Sequence, residues 1–163
     1  MEMSSLQDLW VEELRDLYNA ENHLVKALPK MAKAASNDQL RQGFETHLEE
    51  TKGHVERLEQ IFEKLGKSPK GKTCKAMKGL VEEGKEVMEE DMEDEVMDAA
   101  LIAAGQKVEH YEIASYGTVR AYAELLGDNE SARLLQQTLD EEGATDKKLT
   151  KLAESTINVE AEA

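Results

Sequence analysis

The sequence predicts an all-α fold: a four-helix bundle whose second and third long helices are joined by a long crossover carrying an extra short helix. Three observations lead there. The 163 residues include only 10 Gly and 2 Pro and are 34% charged, a composition of helices rather than of sheets and turns. Four segments repeat apolar residues at spacings of 4 and 3, the helical period. Two tight turns and one breaker-rich stretch separate these segments.

The first helix is expected to start after Ser4-Ser5 and run to about Ala35, with Trp10, Leu14, Leu17, Leu24, Leu28 and Met31 on its stripe. Pro29 lies inside it and should kink it or loosen its hydrogen bonding. Ser36-Asn37-Asp38 supplies capping residues for a second helix, which runs to about Leu65 and stops at Gly66. Its stripe is Leu40, Phe44, Leu58 and Ile61, with polar residues between. The basic stretch from Gly66 to Lys75 is a loop, followed by a short helix from about Thr73 to Glu89. On that helix Met77, Leu80, Val81, Val87 and Met88, with Cys74, are expected to form an exposed apolar patch at a dimer interface. The third long helix runs from about Glu95 to Leu126 and turns at Gly127-Asp128-Asn129. The fourth continues to about Glu154, and residues from Asn158 to Ala163 are expected to fray. Two hairpins joined by a long crossover make a ferritin-like connection, unlike a simple up-down-up-down bundle. The length suits a single domain over residues 1–163.

Charge narrows the function. A net charge of −15 argues against nucleic acid and against acidic membrane surfaces, both of which need clustered Lys and Arg. Cys74 is the single cysteine, so neither an intramolecular disulfide nor a cysteine-rich metal motif is available. The start of the chain has no basic region followed by an apolar run, and a cytoplasmic protein is expected.

Near its middle each stripe turns polar. The interruptions are Glu21 on the first, His47, Thr51 and His54 on the second, Glu112 and Ser115 on the third, and Glu142 and Asp146 on the fourth. In a bundle these residues meet in one layer. Burying unpaired carboxylates together costs several kcal/mol, and no Arg or Lys lies on the stripes, so a metal is the natural occupant. Glu50 shares a face with His47 and with His54, and imidazole plus carboxylate suits iron, manganese or zinc. The usual Glu-x-x-His motif of di-iron bundles is absent, because Gly53 stands three residues after Glu50. Glu109 and Glu112 are one turn apart, suited to one terminal and one bridging carboxylate. A weak internal repeat at an offset of 91 pairs Glu21 with Glu112 and Glu50 with Glu141. On the fourth helix that repeat favours Glu141, whereas periodicity favours Glu142. Each acid also has a plainer reading as part of a solvated face. Tyr116, one turn from Glu112, is placed to hydrogen-bond a ligand.

Four pieces carry a family resemblance: Leu-Tyr-Asn-Ala-Glu (17–21), His-Leu-Glu-Glu-Thr (47–51), Val-Glu-His-Tyr-Glu-Ile-Ala-Ser-Tyr-Gly-Thr (108–118) and Thr-Leu-Asp-Glu-Glu (138–142). In these, and over nearly its whole length, the chain resembles the YciE/YciF family of bacterial stress-associated, ferritin-like proteins. The resemblance implies a ferritin-like bundle, an extra short helix after the second, and a homodimer formed partly through that helix. It also implies a rubrerythrin-like di-metal site at Glu21, His47, Glu50, Glu109, Glu112 and Glu142, with no defined enzymatic activity. His54, Glu141 and Asp146 stay as further candidates. The leading expectation is a di-iron or di-manganese stress protein acting on oxygen or peroxide, with electrons from a separate donor. The alternatives are a non-catalytic dimeric scaffold with an empty or structural metal site, and iron storage.

Overall fold

A computed structural model describes residues 2–163, and its secondary structure is helical throughout the described residues. The elements are α1 (Leu6–Ala34), α2 (Asp38–Leu65), α3 (Lys75–Glu89), α4 (Asp94–Leu125) and α5 (Asn129–Leu152). A π-helical turn (Ala153–Ile157) carries α5 into α6 (Asn158–Glu162). The capping chemistry sets most of these boundaries. Side chains of Ser5, Asn37 and Asp128 accept from Asp8, Leu40 and Ser131 backbone N–H groups at the starts of α1, α2 and α5. Gly66 ends α2 in the left-handed region at φ 64°, a conformation that costs glycine nothing.

Helix α1 packs on α2 and α4 on α5, while α1–α4 and α2–α5 contacts close the bundle. The crossover from α2 to α4 carries α3 across the outside of α1 and α4. This is the hairpin–crossover–hairpin arrangement that the turn lengths predict. Asp98 fastens it. Its buried carboxylate accepts from the Ser36 and Asn37 N–H groups at 2.8 and 2.9 Å, tying the start of α4 to the α1–α2 turn. At Gly105 a Cβ would sit in ordinary van der Waals contact with Phe44 at 3.4 Å and Leu149 at 3.5 Å.

Two expectations are corrected. The apolar residues of α3 do not form an exposed patch. Cys74 and Met77 are fully buried, and Leu80, Val81 and Met88 pack against the main core, because α3 lies down on α1 and α4. The helix begins at Lys75, with the Cys74 thiol accepting from the Met77 N–H at 3.3 Å. The segment after Asn158 is helical rather than frayed, anchored just before it by buried Ala153 and Ile157. Helix α1 continues through Pro29, which is exposed, so water can serve the carbonyl that its missing N–H leaves without a donor, in keeping with the expected loosening of hydrogen bonding there.

The apolar interior falls into two clusters. One contains Leu24, Leu28, Phe44, Leu101, Leu149 and Ile157 among its buried members. The other contains Trp10, Leu14, Leu58, Phe62, Tyr116 and Leu135, with the Trp10 indole donating to the Val119 carbonyl at 3.0 Å. The polar layer lies between them in sequence on every long helix of the bundle.

Candidate metal centre

Each long helix of the bundle sends at least one acid or histidine into that layer because a full apolar stripe surrounds it and fixes its direction. Two sets of four residues result. Glu21, His54, Glu112 and Glu142 each offer one ligand atom within 4.8 Å of the others. His47, Glu109, Glu112 and Glu142 do the same. Glu112 from α4 and Glu142 from α5 belong to both sets, so the two positions share a pair of carboxylates. All six residues are buried.

The contacts are short without being hydrogen bonds. His47 Nε2 lies 2.8 Å from Glu109 Oε1, and His54 Nδ1 lies 2.9 Å from Glu142 Oε1. Neither nitrogen is aligned for a hydrogen bond, and both Glu112 oxygens, both Glu142 oxygens, Glu21 Oε2 and Glu109 Oε2 also lack a hydrogen-bond partner in the protein. Native proteins rarely leave so many buried polar atoms unpaired in one place. The atoms converge on common points between them, which is the arrangement ligands adopt around a cation. Two imidazoles and four carboxylates form a donor set suited to iron, manganese or zinc.

The far nitrogens of the imidazoles are held from outside. His54 Nε2 donates to Glu141 at 2.8 Å, and Arg57 grips the same carboxylate with two bonds of 2.9 and 2.8 Å. A carboxylate only accepts, so Nε2 carries a hydrogen, and Nδ1 is the nitrogen turned towards the layer. His47 Nδ1 lies 3.2 Å from Glu50 and 3.1 Å from the Thr145 hydroxyl, which leaves Nε2 facing Glu109 and Glu142. The Tyr116 hydroxyl donates to Glu21 Oε1 at 2.8 Å.

Electrostatics follow from this crowding. Burial pushes the Glu112 carboxyl well above the usual carboxylate range, and the charge of Glu21 pushes it further. Glu142 is raised in the same way by burial and by Glu112. Burial also opposes the charge on His47, but Glu109 and Glu50 on its two nitrogens outweigh that and hold its pKa at about 10. Glu50 is lowered by its bond to His47. Burial works against ionisation of Glu141, yet Arg57 and His54 keep it below the usual range.

The structure brings Glu21, His47, Glu109, Glu112 and Glu142 together with His54, which enters one of the two sets. Glu50 and Glu141 stand outside both sets, each on the far side of a histidine. Asp146 points away from the layer, towards His110 at 3.1 Å and the Gln106 amide at 3.3 Å. Of the fourth-helix alternatives, Glu142 faces the layer, as periodicity favours. Sequence reasoning missed Arg57, which lies beside the stripe rather than on it. Its position three residues after His54, on the same helical face, is the signal that was available. It also missed Asp16, whose carboxylate accepts from the Tyr111 hydroxyl, which in turn lies 3.1 Å from the Cys74 sulfur.

A ferritin-like four-helix bundle with a buried carboxylate–histidine layer is the class that fold and site define. The chain belongs to the family described as domain of unknown function DUF892, whose model matches residues 5–162, and within it to the YciE/YciF group. It is 52% identical to Protein YciF of Escherichia coli K12 over 163 residues, covering 99% of this chain and 98% of that one. The crystal structure of the E. coli stress protein YciF superposes with a TM-score of 0.92, covering 96% of this chain and 99% of that one at 52% identity. Ferritin-like, diiron-carboxylate proteins of Bacillus anthracis share the fold, with a TM-score of 0.72 over 92% of this chain and 99% of that chain at 18% identity.

Proposed function

We propose that the layer holds a pair of metal ions, iron first and manganese or zinc next, with Glu112 and Glu142 common to both sites. In this reading Glu21 and His54 complete one site, and Glu109 and His47 the other. The observation that carries it is the set of buried, unpaired carboxylate and imidazole atoms of two overlapping quartets. The di-iron carboxylate proteins that share the fold support the choice of iron. When bound, an iron pair would supply redox chemistry towards oxygen or peroxide, with electrons from a separate donor protein. The chain's own contributions are defined by its geometry. Tyr116 fixes Glu21, the pairs Glu141–His54 and Glu50–His47 set which ring nitrogens face inward, and the two apolar clusters keep bulk water from the layer.

A second reading has one observation in its favour. A protonated His47 between Glu109 and Glu50 offsets part of the layer's charge without any ion, as a non-catalytic scaffold would need. Metal analysis of protein purified without chelator, followed by anaerobic iron(II) titration and oxygen addition, separates the two. Saturation at two irons per chain with oxygen-dependent spectral change supports the first, whereas no stoichiometric uptake refutes it. The proposal includes a cytoplasmic homodimer. Size-exclusion chromatography distinguishes a dimer of 18.2 kDa chains from a storage cage.

A further inference from the structure

The two quartets share Glu112 and Glu142 but differ in everything that surrounds them. The members of the first are all at 0% exposure: Glu21, His54, Glu112 and Glu142. Its histidine is fixed by Glu141, and Glu141 is itself fixed by the two-pronged bond from Arg57, which also reaches the Thr138 hydroxyl at 3.0 Å. Its terminal carboxylate, Glu21, is fixed by Tyr116. Every ligand particular to this quartet therefore has its orientation set in advance.

The second quartet is looser. Its histidine has longer contacts, 3.2 Å to Glu50 and 3.1 Å to the Thr145 hydroxyl, and Glu50 has no Arg or Lys within ion-pair distance among the described residues. The Glu50 side chain is 29% exposed, whereas His47 behind it is 3% exposed. Glu109 Oε2 has no hydrogen-bond partner in the protein, and Glu109 has no anchor comparable to Tyr116. Glu141 is exposed to a similar degree, 28%, but both of its oxygens are occupied by Arg57, so it is closed to an incoming cation. Glu50 is thus the solvent-reached side chain next to the second quartet, whereas the corresponding face of Glu141 is occupied by a guanidinium.

We propose that the two metal sites are unequal. The inner one, at Glu21, His54, Glu112 and Glu142, is pre-set by the Arg57–Glu141 clamp and retains its ion. The outer one, at His47, Glu109, Glu112 and Glu142, exchanges its ion past Glu50. This rests on the di-metal reading above. Arg57, Glu141 and Glu50 are positioning and entry residues, not ligands. Outer partners of a metal-bound histidine contribute about 10–100-fold in affinity, and a correctly signed charge at a cleft mouth speeds cation capture by about tenfold or more.

The test uses the full-length protein freed of metal by chelator and titrated with cobalt(II), followed by visible absorption and calorimetry. Wild type is expected to show two resolved steps. Glu141→Gln, isosteric and on the half-exposed side, should weaken the first step about 10–100-fold and shift its absorption bands. Arg57→Lys keeps the charge without the fork and should fall between wild type and Glu141→Gln, and it carries the test if Glu141→Gln fails to fold. Glu109→Gln should remove the second step and leave the first at wild-type affinity. Glu50→Gln should leave the first step unchanged and slow uptake of the second ion about tenfold or more in stopped flow. Two equal steps in wild type, or equal weakening of both by Glu141→Gln, overturn the inequality and leave the di-metal reading standing. A wild-type uptake rate in Glu50→Gln overturns the entry route. Failure of wild type to bind cobalt overturns the di-metal reading itself.

Discussion

Replacing Glu112 with Gln should stabilise the protein without metal and weaken it with metal. The side chain is fully buried, neither oxygen has a hydrogen-bond partner in the protein, and Glu21, Glu109 and Glu142 surround it. Without ions its carboxyl is held well above its ordinary value of 4.5, by burial first and then by Glu21. The unfolded chain ionises this group freely, so folding at neutral pH means holding a proton against solution. That costs about 1.36 kcal/mol per pH unit above the ordinary value, or at most about 3.4 kcal/mol at pH 7 (1.36 × 2.5). At pH 5 the same product falls to about 0.7 kcal/mol. Gln keeps the shape, needs no proton and can donate its amide hydrogens to the neighbouring carboxylates. The sign is that of a raised carboxyl: the wild type has its full stability below the ordinary value and loses it as pH rises towards the folded-state value. Urea denaturation of both apo proteins at pH 5 and pH 7 reads the effect. Glu112→Gln should gain about 1–3 kcal/mol at pH 7 and under about 1 kcal/mol at pH 5, and added iron(II) should reverse the order at pH 7. Equal stability at pH 7 without metal, or a gain that does not shrink at pH 5, refutes the reasoning.

Other consequences are open to direct measurement. Because His47 is held at about 10 and must lose a proton to bind a cation, metal uptake should release protons and tighten as pH rises towards that value. Calorimetry in buffers of different ionisation enthalpy reads the count, and proton-neutral binding contradicts it. Tyr116→Phe removes the donor to Glu21 Oε1 inside the bundle and should cost the apo protein about 1–3 kcal/mol in urea denaturation. Asp98→Ala frees two N–H groups at the α1–α2 turn and should cost about 2–3 kcal/mol while leaving metal stoichiometry unchanged. A change of stoichiometry would mean that the turn and the layer are coupled.

The legible parts of the molecule were those written in periodicity and turn chemistry. Glu21 stands alone on an otherwise apolar stripe and Glu112 shares its stripe only with Ser115, and both reach the layer for that reason. Choosing between Glu141 and Glu142 needed only the helical period, since one residue is a rotation of about 100°. The roles of Glu50 and His54 were harder. Both lie on the inner side of α2, and which of them enters the layer depends on distances between helices that spacing along one helix does not contain. Arg57 was invisible for a related reason. It matters because α5 brings Glu141 opposite it, a pairing across 84 positions in the chain. The packing of α3 was misread because its apolar residues do not announce whether they face their own bundle or another molecule.

The polar layer has a mechanical consequence. Most bundles of this size have one uninterrupted apolar interior, and it makes them open and close as a unit. Here the interior is two separate bodies, one around Trp10 and Leu135 and one around Phe44 and Ile157, linked mainly by the helices that run through both. Without ions, the Tyr116–Glu21, His54–Glu141 and Arg57–Glu141 bonds are what tie the helices at mid-height, so the two ends should open with different energies. Ions held by the two quartets would add a tie across all four long helices of the bundle at that height. Hydrogen exchange should show distinct opening energies at the two ends in the apo protein and a single, higher one when loaded. In that sense a bound ion would stiffen the whole rod.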